Sequence, residues 1–300
     1  MSPDDGPFAR IARRIDPGAR LLRRWELTGG VSAHVTALEL ERASGETTRL
    51  VVRQYGPADL LRNPNSAADE FRLLRLARAA GVAAPQPCLA DQSGAFLATP
   101  FIVVEYVDGT PEDAPSDVAH LTGQLAQQLA AIHGIDAARH DLTFLRSAEE
   151  AVAHTLRQAT ARSADPLERR IRDVLAAGMP PSRNRPVLLH GDYWPGNALW
   201  RHGRLAAIID WEDAAAGDPL ADLANSRLEL LWARGEEAMR LFTLRYLALT
   251  SIDATALPAW DLWAALRPLG RFEDWAPDAA SRATLRDRHR WFVEQALPRL

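Results

Sequence analysis

Short apolar-rich runs separated by turns, with alternation clearest near residues 31–41, predict strands over 21–27, 33–40 and 50–55. Glycine-bearing turns, Thr28-Gly29-Gly30-Val31-Ser32 and Ser44-Gly45-Glu46, separate the three runs, so the segment reads as a sheet built by hairpins. From residue 66 to 80 the period changes to that of a helix, with Ala67, Phe71, Leu74 and Ala77 on one face and Gly81 as a stop. Pro85 and Pro87 mark an extended stretch, residues 101–106 form an apolar, β-branched run, and Val107-Asp108-Gly109-Thr110-Pro111 is a connector. Beyond it the periodicity is helical over 118–133, 148–160, 166–177, 220–234, 236–250, 260–269 and 280–297. The expected class is therefore α+β, with a first lobe over 1–108 and a mainly helical second lobe over 109–300.

Three short apolar runs interrupt the helical half, over 187–189, 198–200 and 205–209, and they bracket the most informative motif. After the first comes His190-Gly191-Asp192-Tyr193-Trp194-Pro195-Gly196-Asn197, and the last ends at Asp210. Two carboxylates and an amide at the ends of short neighbouring strands suit phosphoryl transfer from a nucleotide. One carboxylate orients the acceptor hydroxyl and takes its proton, while an Asn and an Asp hold Mg²⁺ against the phosphates. Gly191 and Gly196 let the loop turn tightly.

This pattern, with Ile209-Asp210-Trp211 and then Gly217-Asp218-Pro219 and Asp222, resembles the aminoglycoside phosphotransferase and choline kinase superfamily of protein-kinase-like small-molecule kinases. The resemblance implies a two-lobed, protein-kinase-like fold, ATP and Mg²⁺ as cofactors, Asp192 as catalytic base, and Asn197 and Asp210 as metal ligands. It runs from the Gly29-Gly30 turn to about residue 230.

A kinase fold also needs a turn over the phosphates, a cation on the third strand and a carboxylate on the following helix. Gly30 and Ser32 in the first turn, Arg53 in the third strand and Glu70 in the helix supply these in order, with Asp69 as a second carboxylate. Arg53 stands where such kinases use lysine; its fork contacts phosphate but is no point charge. Glu105 and Val107, just after the apolar strand, fall where a hinge would bind the adenine edge through its backbone. His133 reads as support for the site, and Asp218 and Asp222 as braces of the catalytic loop.

Composition changes this picture in three ways. The 300 residues contain no lysine, so all 35 Lys+Arg positions are arginine and any phosphate contact falls to Arg or to backbone amides. A net charge of −4 disfavours a nucleic acid partner. One cysteine, Cys88, excludes an internal disulfide and a cysteine zinc cluster. No secretory signal or run of roughly 20 apolar residues is evident, so the expectation is a cytoplasmic protein with no membrane partner.

The expected partner is a small-molecule acceptor, with a pocket among Glu229, Trp232, Trp260, Asp261, Trp263, Glu273, Asp274 and Trp275, where aromatic faces and carboxylates suit a cationic or amino-bearing compound. Aminoglycosides, amino alcohols, sugars, hydroxy amino acids and macrolides all remain open. A non-catalytic nucleotide-binding module on the same fold is the alternative; a metallohydrolase would need more metal-spaced histidines.

Overall fold

In the computed structural model the chain divides into two units, and the described residues are 6–27, 34–158, 165–180, 182–269 and 278–299. The first unit comprises Met1–Gly109 with Ala206–Glu212, and the second Thr110–Leu205 with Asp213–Leu300.

The first unit is built on five antiparallel strands, β1 (Arg20–Glu26), β2 (His34–Glu41), β3 (Thr47–Gln54), β4 (Pro87–Asp91) and β5 (Phe101–Glu105), in the order β1-β2-β3-β5-β4. Register decides which face each side chain takes. Leu50 and Val52 on β3 share one face with Leu38 and Leu40 on β2 and Phe101 and Val103 on β5, and against them packs α1 (Pro7–Ile15) through Phe8, Ile11 and Ala12. Arg53 lies on the other face, opposite Val35 and Ile102. The short α2 (Pro57–Arg62) follows, and then α3 (Ser66–Ala79), which buries Ala67, Leu73, Leu74 and Ala77 and packs on β4 and β5.

The second unit is mainly helical: α4 (Val118–His133), α5 (Ala148–Gln158), α6 (Pro166–Ala176), α7 (Leu220–Arg234), α8 (Glu236–Leu249), α9 (Leu257–Leu266) and α10 (Ala279–Ala296). Helix α7 is its axis: it packs on α8, α9 and α10 and is buried on nearly every side. Beside the helices lies a small sheet of β6 (Arg146–Ser147), β10 (Ala215–Gly217) and β7 (Val187–Leu189), in which β10 pairs parallel with β6 and antiparallel with β7. A ribbon of β8 (Ala198–Arg201) and β9 (Arg204–Ile208) leads the chain back to the first unit at Ala206.

Several elements depart from the periodicity-based expectation, the short α2 and β6 among them. Helix α1 falls outside the expected elements, although Phe8, Ile11, Ala12 and Ile15 recur at i, i+3, i+4 and i+7 and place one apolar face on the sheet. Strand β4 forms where only an extended stretch is expected. The alanine run after Asp213 becomes β10, a strand imposed by its neighbours on residues of low β propensity. Among the described residues, no helix is long and apolar enough to cross a membrane.

Candidate active site

Two clusters of predicted residues form, each within its own unit. In the first unit Arg53 Nη1 donates to Glu70 Oε2 at 2.8 Å, and Tyr55 Oη donates to the same oxygen at 2.5 Å. Arg53 Nη2 pairs with Glu212 and approaches Asp210 Oδ1 at 3.5 Å. The Arg53 and Glu70 side chains are only 13% and 12% exposed, so each needs the other. Burial opposes the charge on Arg53, but Glu70, Asp210 and Glu212 outweigh it and hold the guanidinium pKa above its ordinary value. Burial and the same Glu70 keep the Tyr55 phenol protonated well beyond its usual range. Glu212, to which the motif assigns no role, is thus a partner of Arg53; Asp69 instead accepts from Asn63 Nδ2 at 2.8 Å.

Asp210 has φ +64°, a left-handed conformation rare outside glycine and tolerated at functional turns where the surrounding structure enforces it. Trp211 beside it is buried and donates Nε1–H to Ile208 O at 3.0 Å, which fixes the turn, while the Asp210 side chain is 44% exposed. Glu105 is the last residue of β5, exposed, with its N–H donated to Gln86 O at 2.8 Å; Val107 follows two positions later. The segment is anchored by Arg49, which pairs with Asp108 at 2.5 Å and lies 4.7 Å over the Tyr106 ring. Gly30 and Ser32, predicted for the phosphates, fall outside the described residues, as do Glu273, Asp274 and Trp275.

In the second unit the loop after β7 is organised around Asp222. Its Oδ2 accepts His190 N–H at 2.6 Å and its Oδ1 accepts Gly191 N–H at 2.9 Å. His133 Nε2 lies 3.2 Å from Oδ2. With Nε2–H donating there, Nδ1 accepts from the Tyr246 hydroxyl at 2.5 Å. Burial would raise the Asp222 pKa, but His133, His190 and the loop amide outweigh it and hold the carboxyl below the usual range. Gly191 has φ +83°, and a Cβ there would lie 2.0 Å from Asp213 O, so only glycine fits.

Asp192 follows. Asn197 Nδ2 donates to its backbone O at 2.9 Å and to Oδ2 at 3.1 Å, which ties the two ends of the loop together. Burial raises the Asp192 pKa above the ordinary carboxylate value; Asp213 and Asp222 push the same way, and Arg267 and Asn197 oppose them.

Several side chains that brace this loop come from one stripe of α7. Asp222, Asn225, Ser226 and Glu229 are spaced three, four and seven apart, one face of the helix. Asp222 holds the two amides, Ser226 Oγ donates to Tyr193 O at 2.9 Å, and Asn225 Oδ1 accepts from Arg267 Nη1 at 2.9 Å. Arg267 Nη1 also reaches Gly191 O at 3.3 Å. Burial first, and then Asp192, push the Glu229 carboxyl up to about 7. Four polar residues at helical spacing, in a stretch whose other residues are apolar except Arg227, are the sequence signal for this face; Arg267 carries none.

Three residues expected in the aromatic acceptor pocket are engaged in packing. Trp260 is buried in the helical core, Trp232 stacks on His289 at 5.8 Å, and Asp261 is buried in a two-point pair with Arg227 at 3.0 Å for each bond. These residues hold α7, α9 and α10 together.

The family model described as a phosphotransferase enzyme family matches residues 26–269. Among curated proteins, acyl-CoA dehydrogenase family member 11 of Rattus norvegicus is 28% identical over 202 residues, 61% of this chain and 26% of that protein. The chain thus spans about a quarter of that relative's length. Macrolide 2'-phosphotransferase MphH from Brachybacterium faecium is a solved structural neighbour with TM-score 0.64 and 21% identity, covering 93% of this chain and 96% of that one. A thermostable mutant of aminoglycoside phosphotransferase APH(4)-Ia, solved with ADP and hygromycin B, has TM-score 0.61 and 17% identity over 95% of this chain and 97% of that one. The sheet and helices described above are the α+β, protein-kinase-like fold of these neighbours, and the chain belongs to the phosphotransferase enzyme family.

Proposed function

We propose that this protein transfers the γ-phosphoryl group of ATP to a hydroxyl of a small-molecule acceptor, with Asp192 as the base. The observation that carries the reading is the Asp192–Asn197 arrangement on a loop braced by Asp222. Asn197 occupies Oδ2 of Asp192, which leaves Oδ1 to accept the acceptor O–H. A carboxylate held above its ordinary pKa by burial is a better proton acceptor than one in water. As the hydroxyl oxygen bonds to phosphorus, its proton passes to Asp192 and the bond to the departing ADP breaks; no phosphoenzyme is formed.

Arg53, positioned by Glu70, supplies the charge for the nucleotide phosphates in this reading, and neighbours solved with ADP and with GDP support the use of a nucleotide. For Mg²⁺, each unit by itself offers one hard oxygen donor. Asn197 directs its Nδ2 to Asp192 and keeps Oδ1 as an acceptor, and Asp210 offers a partly exposed carboxylate, both hard oxygen ligands. Among the described residues no group of three or more His, Cys, Asp or Glu side chains forms a metal site by itself, so phosphate oxygens and water would complete the shell. When bound, the ion would neutralise charge on the phosphates.

An acceptor screen read by ADP release in wild type and Asp192→Ala tests the reading. Release that depends on both acceptor and Asp192 supports it; equal, negligible release with a broad panel sinks it.

A further inference from the structure

The stripe on α7 and the end of α9 carry hydrogen-bond donors that no described residue accepts. Arg267 follows α9 and donates through Nη1, to Gly191 O and Asn225 Oδ1; among the described residues Nε and Nη2 have no acceptor. Arg267 is exposed. Asn225 is 6% exposed, and its Nδ2 has no hydrogen-bond partner among the described residues. A buried amide donor left unmade costs about 1–3 kcal/mol, so natural structures retain one where something else satisfies it. Because Nδ2 and Oδ1 share one carbon, this donor lies beside the guanidinium that Oδ1 anchors. Both sit next to Asp192, through Gly191 O.

We propose that Arg267 and Asn225 bind a carboxylate of the acceptor, so that the substrate is a hydroxy acid whose anionic group is held while its hydroxyl meets Asp192. A planar guanidinium with an adjacent amide matches the two oxygens of a carboxylate. This inference rests on the phosphotransferase reading above and names its acceptor class.

Among the described residues, the two carboxylates expected to favour a cationic acceptor, Asp261 and Glu229, are engaged elsewhere or less readily ionised than usual. Asp261 is occupied by Arg227 at 3.0 Å. Glu229, one turn along α7 from Asn225, is pushed up to about 7 by burial and Asp192, so near neutrality it carries less negative charge beside Arg267 than an ordinary carboxylate would. In its protonated form it is a further donor.

The test is equilibrium binding by NMR titration, with Mg²⁺ and a non-transferable ATP analogue present, of three probes that share one secondary hydroxyl. These are 3-hydroxybutyrate, 3-hydroxybutyramide and 4-amino-2-butanol. The expected result is about tenfold tighter binding of the carboxylate than of either other probe, the scale of one charge-assisted contact. Arg267→Gln should reduce the preference to about twofold or less, and Arg267→Lys, which keeps the charge and loses the fork, should retain part of it. Equal or tighter binding of the amine by wild type overturns the proposal, as does an undiminished preference in a folded Arg267→Gln protein. Since the titration needs no transfer, its outcome is separable from the function itself. A carboxylate preference without Asp192-dependent turnover would contradict the phosphotransferase reading alone, and turnover without the preference would contradict this inference alone.

Discussion

Both side-chain oxygens of Asp222 are bonded to the loop that carries Asp192, and the shorter of the two bonds, 2.6 Å, receives the N–H of His190. Truncation of this side chain in Asp222→Ala would strand two amides and His133. The expected cost is about 3 kcal/mol or more by urea unfolding, with Asp222→Asn milder because one acceptor survives. The loop amides position Asp192, so kcat should fall about a hundredfold in Asp222→Ala while KM for ATP changes little.

Arg53 addresses Glu70 through one nitrogen and Glu212 through another. A lysine ammonium is a single point, so Arg53→Lys should keep one pairing and raise KM for ATP about tenfold, the loss of one charge-assisted bond. Arg53→Ala leaves Glu70, Asp210 and Glu212 without their shared cation and should be worse in both KM and stability. Steady-state kinetics across ATP concentrations, with unfolding curves for each variant, separate the two effects.

Gly191 leaves no room for a side chain. Gly191→Ala combines a φ of +83° with a Cβ 2.0 Å from Asp213 O, so about 3 kcal/mol of stability should be lost. Differential scanning calorimetry of the variant reads this as a lower Tm.

His289 is 1% exposed against Trp232, and burial lowers its pKa to about 4, with Asp165 opposing. The unfolded chain therefore binds the proton more readily than the fold does. Stability from this site is complete above the unfolded value of roughly 6.5, drains away as the pH falls towards about 4, and changes no further below it, a loss of about 3 kcal/mol. Urea midpoints of wild type and His289→Phe at about pH 7 and about pH 5 check the sign: wild type should lose more stability on acidification than the variant.

The hairpins and long helices are legible in the sequence because their burial follows the local period: α4, for instance, runs Val118–His133 as its apolar spacing predicts. The loop His190 to Asn197 is legible because its residue types are set by chemistry and its glycine by geometry. What stays hidden depends on contacts distant in sequence. Strand β10 is made by pairing with β6 and β7 rather than by Ala215 and Ala216 themselves. Arg267 gains its meaning from Gly191 and Asn225, 76 and 42 positions away, and Asp261 loses its expected acceptor role to Arg227, 34 positions away.

The most direct test of phosphoryl transfer with Asp192 as base is ³¹P NMR of the protein with Mg·ATP and an acceptor, in wild type and in Asp192→Asn. The predicted result is a new phosphomonoester resonance formed in step with ADP by wild type, and a rate lower by about a hundredfold or more in Asp192→Asn, which keeps the shape and lacks the base. Phosphomonoester formation at the same rate in both proteins, or a phosphorylated chain that passes its phosphate to the acceptor, would contradict it.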